Sequence, residues 1–185
     1  MRSARTTAAL GAAVLLVTAC STPALVGEDD DGGDGAIVVA TDFGVTEDTI
    51  NLGILADLTG LFAARSVGVI QGNQLVYDAI NANGGICGRQ IELDIRSHGY
   101  DVALAIQLYE EMEPNVLGIT QLVGSPMTAA LLDQITIDRM VTATASEAST
   151  LLESPYILIG GTTHDLEMIN GIQWMVDEGM IAEGD

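Results

Sequence analysis

The chain has no lysine. All six of its basic residues are arginine, set against 26 aspartates and glutamates. Without lysine there can be no Walker lysine, so a phosphate-binding loop of that type is excluded. A net charge of −20 argues against nucleic acid or anionic lipid head groups as partners. Histidine is nearly absent too: His98 and His164 stand far apart, and each reads as a solvated loop residue rather than a catalytic base. Neither G-x-G-x-x-G nor G-x-S-x-G occurs, and the many carboxylates fall on expected solvent faces and in a linker. Nothing assembles a nucleophile with a base, a metal set or a dinucleotide loop, so neither an enzyme nor a cofactor is expected. Aromatics make up only 4% of a chain that is 48% hydrophobic. That balance suits an alanine- and glycine-rich α/β protein of 185 residues, enough for one domain and not comfortably two.

What is present begins with a targeting segment. Arg2 and Arg5 precede "TTAALGAAVLLVTA", an apolar run too short and too early for an ordinary membrane span. The run ends in Val17-Thr18-Ala19-Cys20, which resembles a bacterial lipobox, where the cysteine is lipidated and becomes the new N-terminus. The alternative is a plain secretory signal with a chance cysteine. Residues 1–19 are therefore assigned as a lipoprotein signal peptide and Cys20 as the lipidated residue. Once Cys20 carries lipid, a disulfide at Cys87 is not expected. Cys87 then reads as a small, half-buried residue in a turn.

Residues 20–48 read as an acidic, glycine- and aspartate-rich tether. The run "EDDDGGDG" lacks the alternating ligands and closing glutamate of a calcium loop and is taken as a solvated linker.

From Ile50 the pattern becomes regular. "INLGILADL", "QIELDIRS", "VLGITQLV", "MVTATA" and "YILIGG" read as strands. Between them lie "VGVIQGNQLVYDAINAN", with Val69, Gly72, Leu75, Val76, Ala79 and Ile80 along one apolar stripe, and "DVALAIQLYEEME", capped by Asp101 and stopped by Pro114. "SPMTAALLDQITID" follows, with Ser125 as N-cap and Pro126 in the first turn, then a short helix in "SEASTLLE" and a closing helix in "DLEMINGIQWMVDEG". Five β-α repeats predict an open, doubly wound, mostly parallel sheet with helices on both faces. Ligands of such sheets bind outside the carboxyl ends of the strands. There the chain places Gly124-Ser125 after the third strand and Thr144-Ala145-Ser146-Glu147 after the fourth. Two hydroxyl-bearing helix starts at one sheet edge would suit a small carboxylated ligand; ordinary capping is the alternative.

The stretch from Ile50 to about Gly179 resembles the first lobe of the leucine/isoleucine/valine-binding proteins, type I periplasmic solute receptors of branched-chain amino acid ABC transporters. The resemblance rests on "ILADLTG", "GNQLVYDAINANGGICGRQIEL", "VLGITQLVGSPMTAALLD" and "MVTATASEAS". It implies a flavodoxin-like strand order, with residues 49–185 forming that lobe. It also implies an extracytoplasmic, lipid-anchored binding protein for a small amino acid or a related carboxylated or amide solute. Permease subunits would be its protein partners, and the lipid on Cys20 its contact with the membrane. A sensor for amides, urea or amino acids is the alternative use of the same fold. The family's ligand positions fall on Gly124, Ser125, Thr144 and Ser146, with Phe62 and Arg65 bordering the pocket. Family members run to roughly twice this length, so a second lobe is missing and a fragment of a longer gene is expected. The glycines of "NGGICG" are read as scaffold: a helix stop followed by a sharp entry into the second strand.

Overall fold

The computed structural model describes residues 41–182 and 184. The signal segment, Cys20 and most of the tether lie outside the described residues. Five parallel strands, β1 (Thr49–Ala56), β2 (Gln90–Ser97), β3 (Gly118–Leu122), β4 (Thr142–Thr144) and β5 (Ile157–Ile159), form one sheet in the order β2-β1-β3-β4-β5. The helices are α1 (Ala63–Ala82), α2 (Val102–Met112), α3 (Ser125–Asp138) and α4 (His164–Asp177). Short 3₁₀ turns occupy Glu113–Asn115 and Ser149–Glu153. This is the doubly wound parallel sheet expected from the β-α repeat, in the flavodoxin-like order that the family resemblance implied. The order reverses direction between β1 and β3, so their carboxyl ends flank the crevice where such sheets bind ligands. No helix among the described residues is long and apolar enough to cross a membrane.

Local chemistry sets most boundaries. Asp101 caps α2, its carboxylate accepting from the Leu104 N–H at 2.8 Å. At the end of α1, the Gly85 N–H donates to the Ile80 carbonyl and the Gly84 N–H to that of Asn81, the paired bonds of a Schellman stop. Gly84 takes the left-handed conformation this requires, at φ 97°. Asn81 then clasps β2, donating to the Ile91 carbonyl and accepting from the Ile91 N–H. Ile86 and Arg89 exchange both backbone hydrogen bonds across Cys87 and Gly88, at φ 52° and 84°, the primed geometry of a two-residue turn. The glycine-rich motif is thus scaffold, as its sequence suggested.

Three expectations need correction here. Cys87 is exposed at the tip of that turn, and it is disulfide-bonded, with its partner outside the described residues. A sulfur held out on a tight turn is accessible in a way a half-buried one is not. Second, the apolar stripe of α1 faces the wrong way: Leu75 and Val76 are 74% and 55% exposed, while Ser66 and Ile70 are the buried residues. Third, Ser125 is not a cap. Gly124 holds that position at φ 105° and Ser125 is the first helical residue. After β4 no helix begins at Ser146; residues 145–148 are irregular, and the 3₁₀ turn starts only at Ser149.

The core is lopsided. On the side of α2 and α3, Leu55, Tyr109, Met112, Leu122, Met127, Leu131, Ile135 and Leu151 belong to one large buried cluster. On the side of α1, Ile54, Ala56, Ile70 and Val123 form a small one.

Candidate functional site

A shallow cavity of about 90 Å³ opens at the carboxyl edge, lined by Phe62, Arg65, Tyr100, Val123, Gly124, Ser125 and Ala145. Small-molecule sites usually enclose roughly 300–1,000 Å³, so this is one wall of a site rather than a closed pocket.

Its base is the loop after β1. Asp57 is fully buried, against the expectation that the carboxylates lie on solvent faces or in the linker. Its Oδ1 accepts from the N–H groups of Gly60 at 2.6 Å and Thr59 at 3.2 Å, and its Oδ2 from Phe62 at 2.9 Å. Burial alone would raise its pKa. The three N–H bonds and the nearby His98 outweigh burial and hold it below its ordinary 3.8. A Cβ on Gly60 would stand 2.8 Å from both carboxylate oxygens, so "DLTG" works as a unit: Asp57 folds the loop and Gly60 leaves room for it. That loop sets Phe62 and Arg65 at the cavity.

The second wall comes from the loop after β2. His98 is fully buried, not solvated. Its Nδ1 accepts from the Tyr100 N–H at 3.0 Å, which requires the neutral ring with its proton on Nε2. Burial pushes its pKa below the usual 6.5, against the raising effect of Asp57 and of the Leu55 and Val123 carbonyls, though no described group closes a hydrogen bond to Nε2. This bond helps to hold Tyr100 at φ 66°, rare for an aromatic residue. The Tyr100 ring packs on Phe62, centroids 4.9 Å apart. A Cβ on Gly124 would come within 3.0 Å of Tyr100 Cε2 and into Met127 Cε. With φ at 105° as well, this position favours glycine over any residue with a side chain.

The hydroxyls form the third wall. Ser146 donates from Oγ to Ser125 Oγ at 2.9 Å, joining the loops after β3 and β4. Ser125 is exposed at the cavity and Ser146 is buried behind it. Thr144 turns away: its hydroxyl pairs with Thr128 at 3.0 Å and accepts from the Ser146 N–H, so it supports the loop rather than the cavity. The structure therefore brings Phe62, Arg65, Gly124 and Ser125 together at one surface, places Ser146 one bond behind, and sets Thr144 in the scaffold. Sequence reasoning missed Asp57, His98 and Tyr100. The available signal was their position, since each follows directly on the carboxyl end of β1 or β2.

Arg65 decides the electrostatics. Among the described residues it makes no ion pair or hydrogen bond, although the chain carries 26 acidic residues. It also stands in the first turn of α1, where the helix dipole disfavours a cation. An exposed guanidinium that lines the same cavity as Ser125 and the N-terminus of α3 favours an anion, and a planar carboxylate in particular.

Comparisons with known proteins bear on the fold and the family. A family model for periplasmic binding proteins matches residues 49–182. Among solved structures, a fatty acid ABC transporter substrate-binding protein from Thermomonospora curvata is 45% identical with a TM-score of 0.77, over 80% of this chain and 38% of that one. The branched-chain amino acid transporter substrate-binding protein LivJ from Streptococcus pneumoniae, in complex with isoleucine, is 28% identical with a TM-score of 0.56, over 63% of this chain and 34% of that one. A branched-chain amino acid ABC transporter structure from Thermus thermophilus with bound valine shares the fold at 16% identity and a TM-score of 0.65. A search of curated proteins found no match. The chain belongs to the periplasmic binding protein family. It spans less than two fifths of the length of the relatives named here.

Proposed function

We propose that the chain supplies the first lobe of an extracytoplasmic solute receptor of an ABC transporter, and that its cavity grips the carboxylate of a small amino acid or a related carboxylated solute. The observation that carries this reading is Arg65, a guanidinium without a described partner at a wall made by Phe62, Tyr100 and Ser125. A carboxylate is what fatty acids and isoleucine, the ligand classes printed for the two more similar relatives, have in common. The test is an NMR titration of the chain with isoleucine and with octanoate, alongside the matching amides. Amide shifts at Gly124, Ser125 and Ser146 are expected for the acids and not for the amides. Arg65→Ala should weaken binding about tenfold or more, since a charge-assisted bond is worth roughly 1.5–3 kcal/mol. If the acids move no resonance around the cavity, or Arg65→Ala binds like the parent, the carboxylate reading fails. Isoleucine and octanoate separate the amino acid from the fatty acid class.

The receptor would be held at the membrane by lipid on Cys20. With two cysteines in the sequence, lipidation and the disulfide at Cys87 are alternative fates of Cys20, and the mass of the mature protein separates them. Cys20→Ser should move the protein from the membrane to the soluble fraction. A variant that still fractionates with membranes, or a mature protein whose mass lacks lipid, would remove the anchor.

A further inference from the structure

We infer a divalent transition-metal site at Glu147, His164 and Glu167, formed where the loop after β4 meets the first turn of α4. The ligand atoms of the three residues all lie within 4.8 Å of one another. His164 Nδ1 stands 3.4 Å from Glu167 Oε2 and 3.8 Å from Glu147 Oε2. A tetrahedral zinc-type ion with bonds of about 2.0–2.1 Å holds its ligand atoms roughly 3.3 Å apart, so modest side-chain rotation closes the set. One imidazole nitrogen and two carboxylates also match the donor set that selects zinc-like ions over magnesium or calcium, which prefer oxygen alone.

The backbone brings the three residues together, while the side chains of His164 and Glu167 stay more than half exposed. The His164 N–H donates to the Glu147 carbonyl at 3.0 Å, which fixes the two elements against each other. The Glu167 N–H donates to the Thr163 carbonyl at 3.0 Å, so the i, i+3 pair of His164 and Glu167 is set by the helix. Glu147 is partly buried, and its carboxylate lies against Gly161, where a Cβ would stand 2.8 Å from Oε1. Both carboxylates approach the same imidazole nitrogen, so a single ion could take all three as ligands. The positive end of α4 opposes a cation, but with a charge equivalent of only about +0.5 against two full negative charges. Among the described residues no arginine pairs with either glutamate. An ion there would also tie down α4, which buries none of its own residues.

The test uses the untagged, chelator-stripped chain titrated calorimetrically with zinc alone, repeated with magnesium. Zinc should bind at one ion per chain and slow amide exchange at the start of α4. His164→Ala and Glu147→Gln should each weaken zinc binding at least about tenfold, as loss of a ligand does. Asp133→Asn, on the exposed face of α3, should leave it unchanged. All the mutated side chains are polar and outside the core, so the variants remain folded, with circular dichroism as the check. A stoichiometry that rises with zinc without saturating, equal binding of magnesium, or parent-like binding by His164→Ala would each mean adventitious carboxylate binding and overturn the site. None of these outcomes depends on the solute cavity, whose test uses different ligands and residues.

Discussion

The two faces of the sheet are held in different ways. On the side of α2 and α3, stability comes from apolar volume: Tyr109, Met112, Met127, Leu131 and Ile135 are all at most 1% exposed. Beneath and beside α1, a small apolar cluster shares the interior with buried polar groups: Ser66, Gln121, Asp57 and His98. Asn73 of α1 reaches Gln121 of β3 with a hydrogen bond of 3.4 Å, and most of the apolar surface of α1 points outward. The cavity is built on this second side. An apolar interior tolerates no directional demand, whereas a buried carboxylate and imidazole dictate where the N–H groups of Thr59, Gly60, Phe62 and Tyr100 must lie. The part of the cavity wall that carries Phe62 and Tyr100 is placed by buried polar groups, and the mass of the fold is held by apolar ones.

Leucine truncation on the two faces should separate these roles most sharply. Leu131→Ala, 1% exposed in the large cluster, should cost about 2–5 kcal/mol of unfolding free energy. Leu75→Ala, 74% exposed on α1, should stay within about 0.5 kcal/mol of the parent. Urea denaturation of both variants measures this. A cost for Leu75→Ala that approached that of Leu131→Ala would mean the α1 face is covered in solution, and the contrast between faces would collapse.

How much of this was written in the sequence follows the same division. The elements whose signals are local were legible: Asp101 as a cap, Pro126 in the first turn of α3, the helix stop at Asn83-Gly84-Gly85, and strand after strand at nearly its observed bounds. So was the neighbourhood of the site, because the sheet-edge rule points to whatever follows β3 and β4. The α1 stripe was misread because periodicity says that apolar residues share a face without saying that the face meets the sheet; Ser66 and Ile70 took that place. Asp57 and His98 escaped because a single buried polar residue has no period. Its burial depends on N–H groups from Thr59 to Tyr100 that converge only after folding. Nothing local in the chain tells where a hydroxyl points, and only that direction separates Thr144, the supporting hydroxyl, from Ser146, the one that reaches Ser125.

The smallest effect, and the most selective for the polar face, is its response to acid. His98 has a folded pKa below its ordinary 6.5. Between those two values the opened state binds a proton that the folded state does not, so stability rises with pH in that window and falls as pH drops below 6.5. Asp57 adds nothing there. Its folded pKa is also depressed, but its contribution is complete above its ordinary 3.8 and is lost only as pH falls below that toward the folded value. Protonation of His98 would also replace the Nδ1 acceptor of the Tyr100 N–H by a donor, breaking the contact that holds Tyr100 against Phe62. Native-state hydrogen exchange at pH 7 and pH 5, corrected for intrinsic rates, should therefore show the amides of Gly60, Phe62 and Tyr100 losing protection at pH 5, while those of Leu131 and Ile135 lose far less. His98→Gln, which keeps an acceptor and removes the titration, should flatten the difference. Uniform loss of protection across both faces, or an unchanged pH response in His98→Gln, would show that the acid sensitivity belongs to the whole fold and that His98 is not its origin.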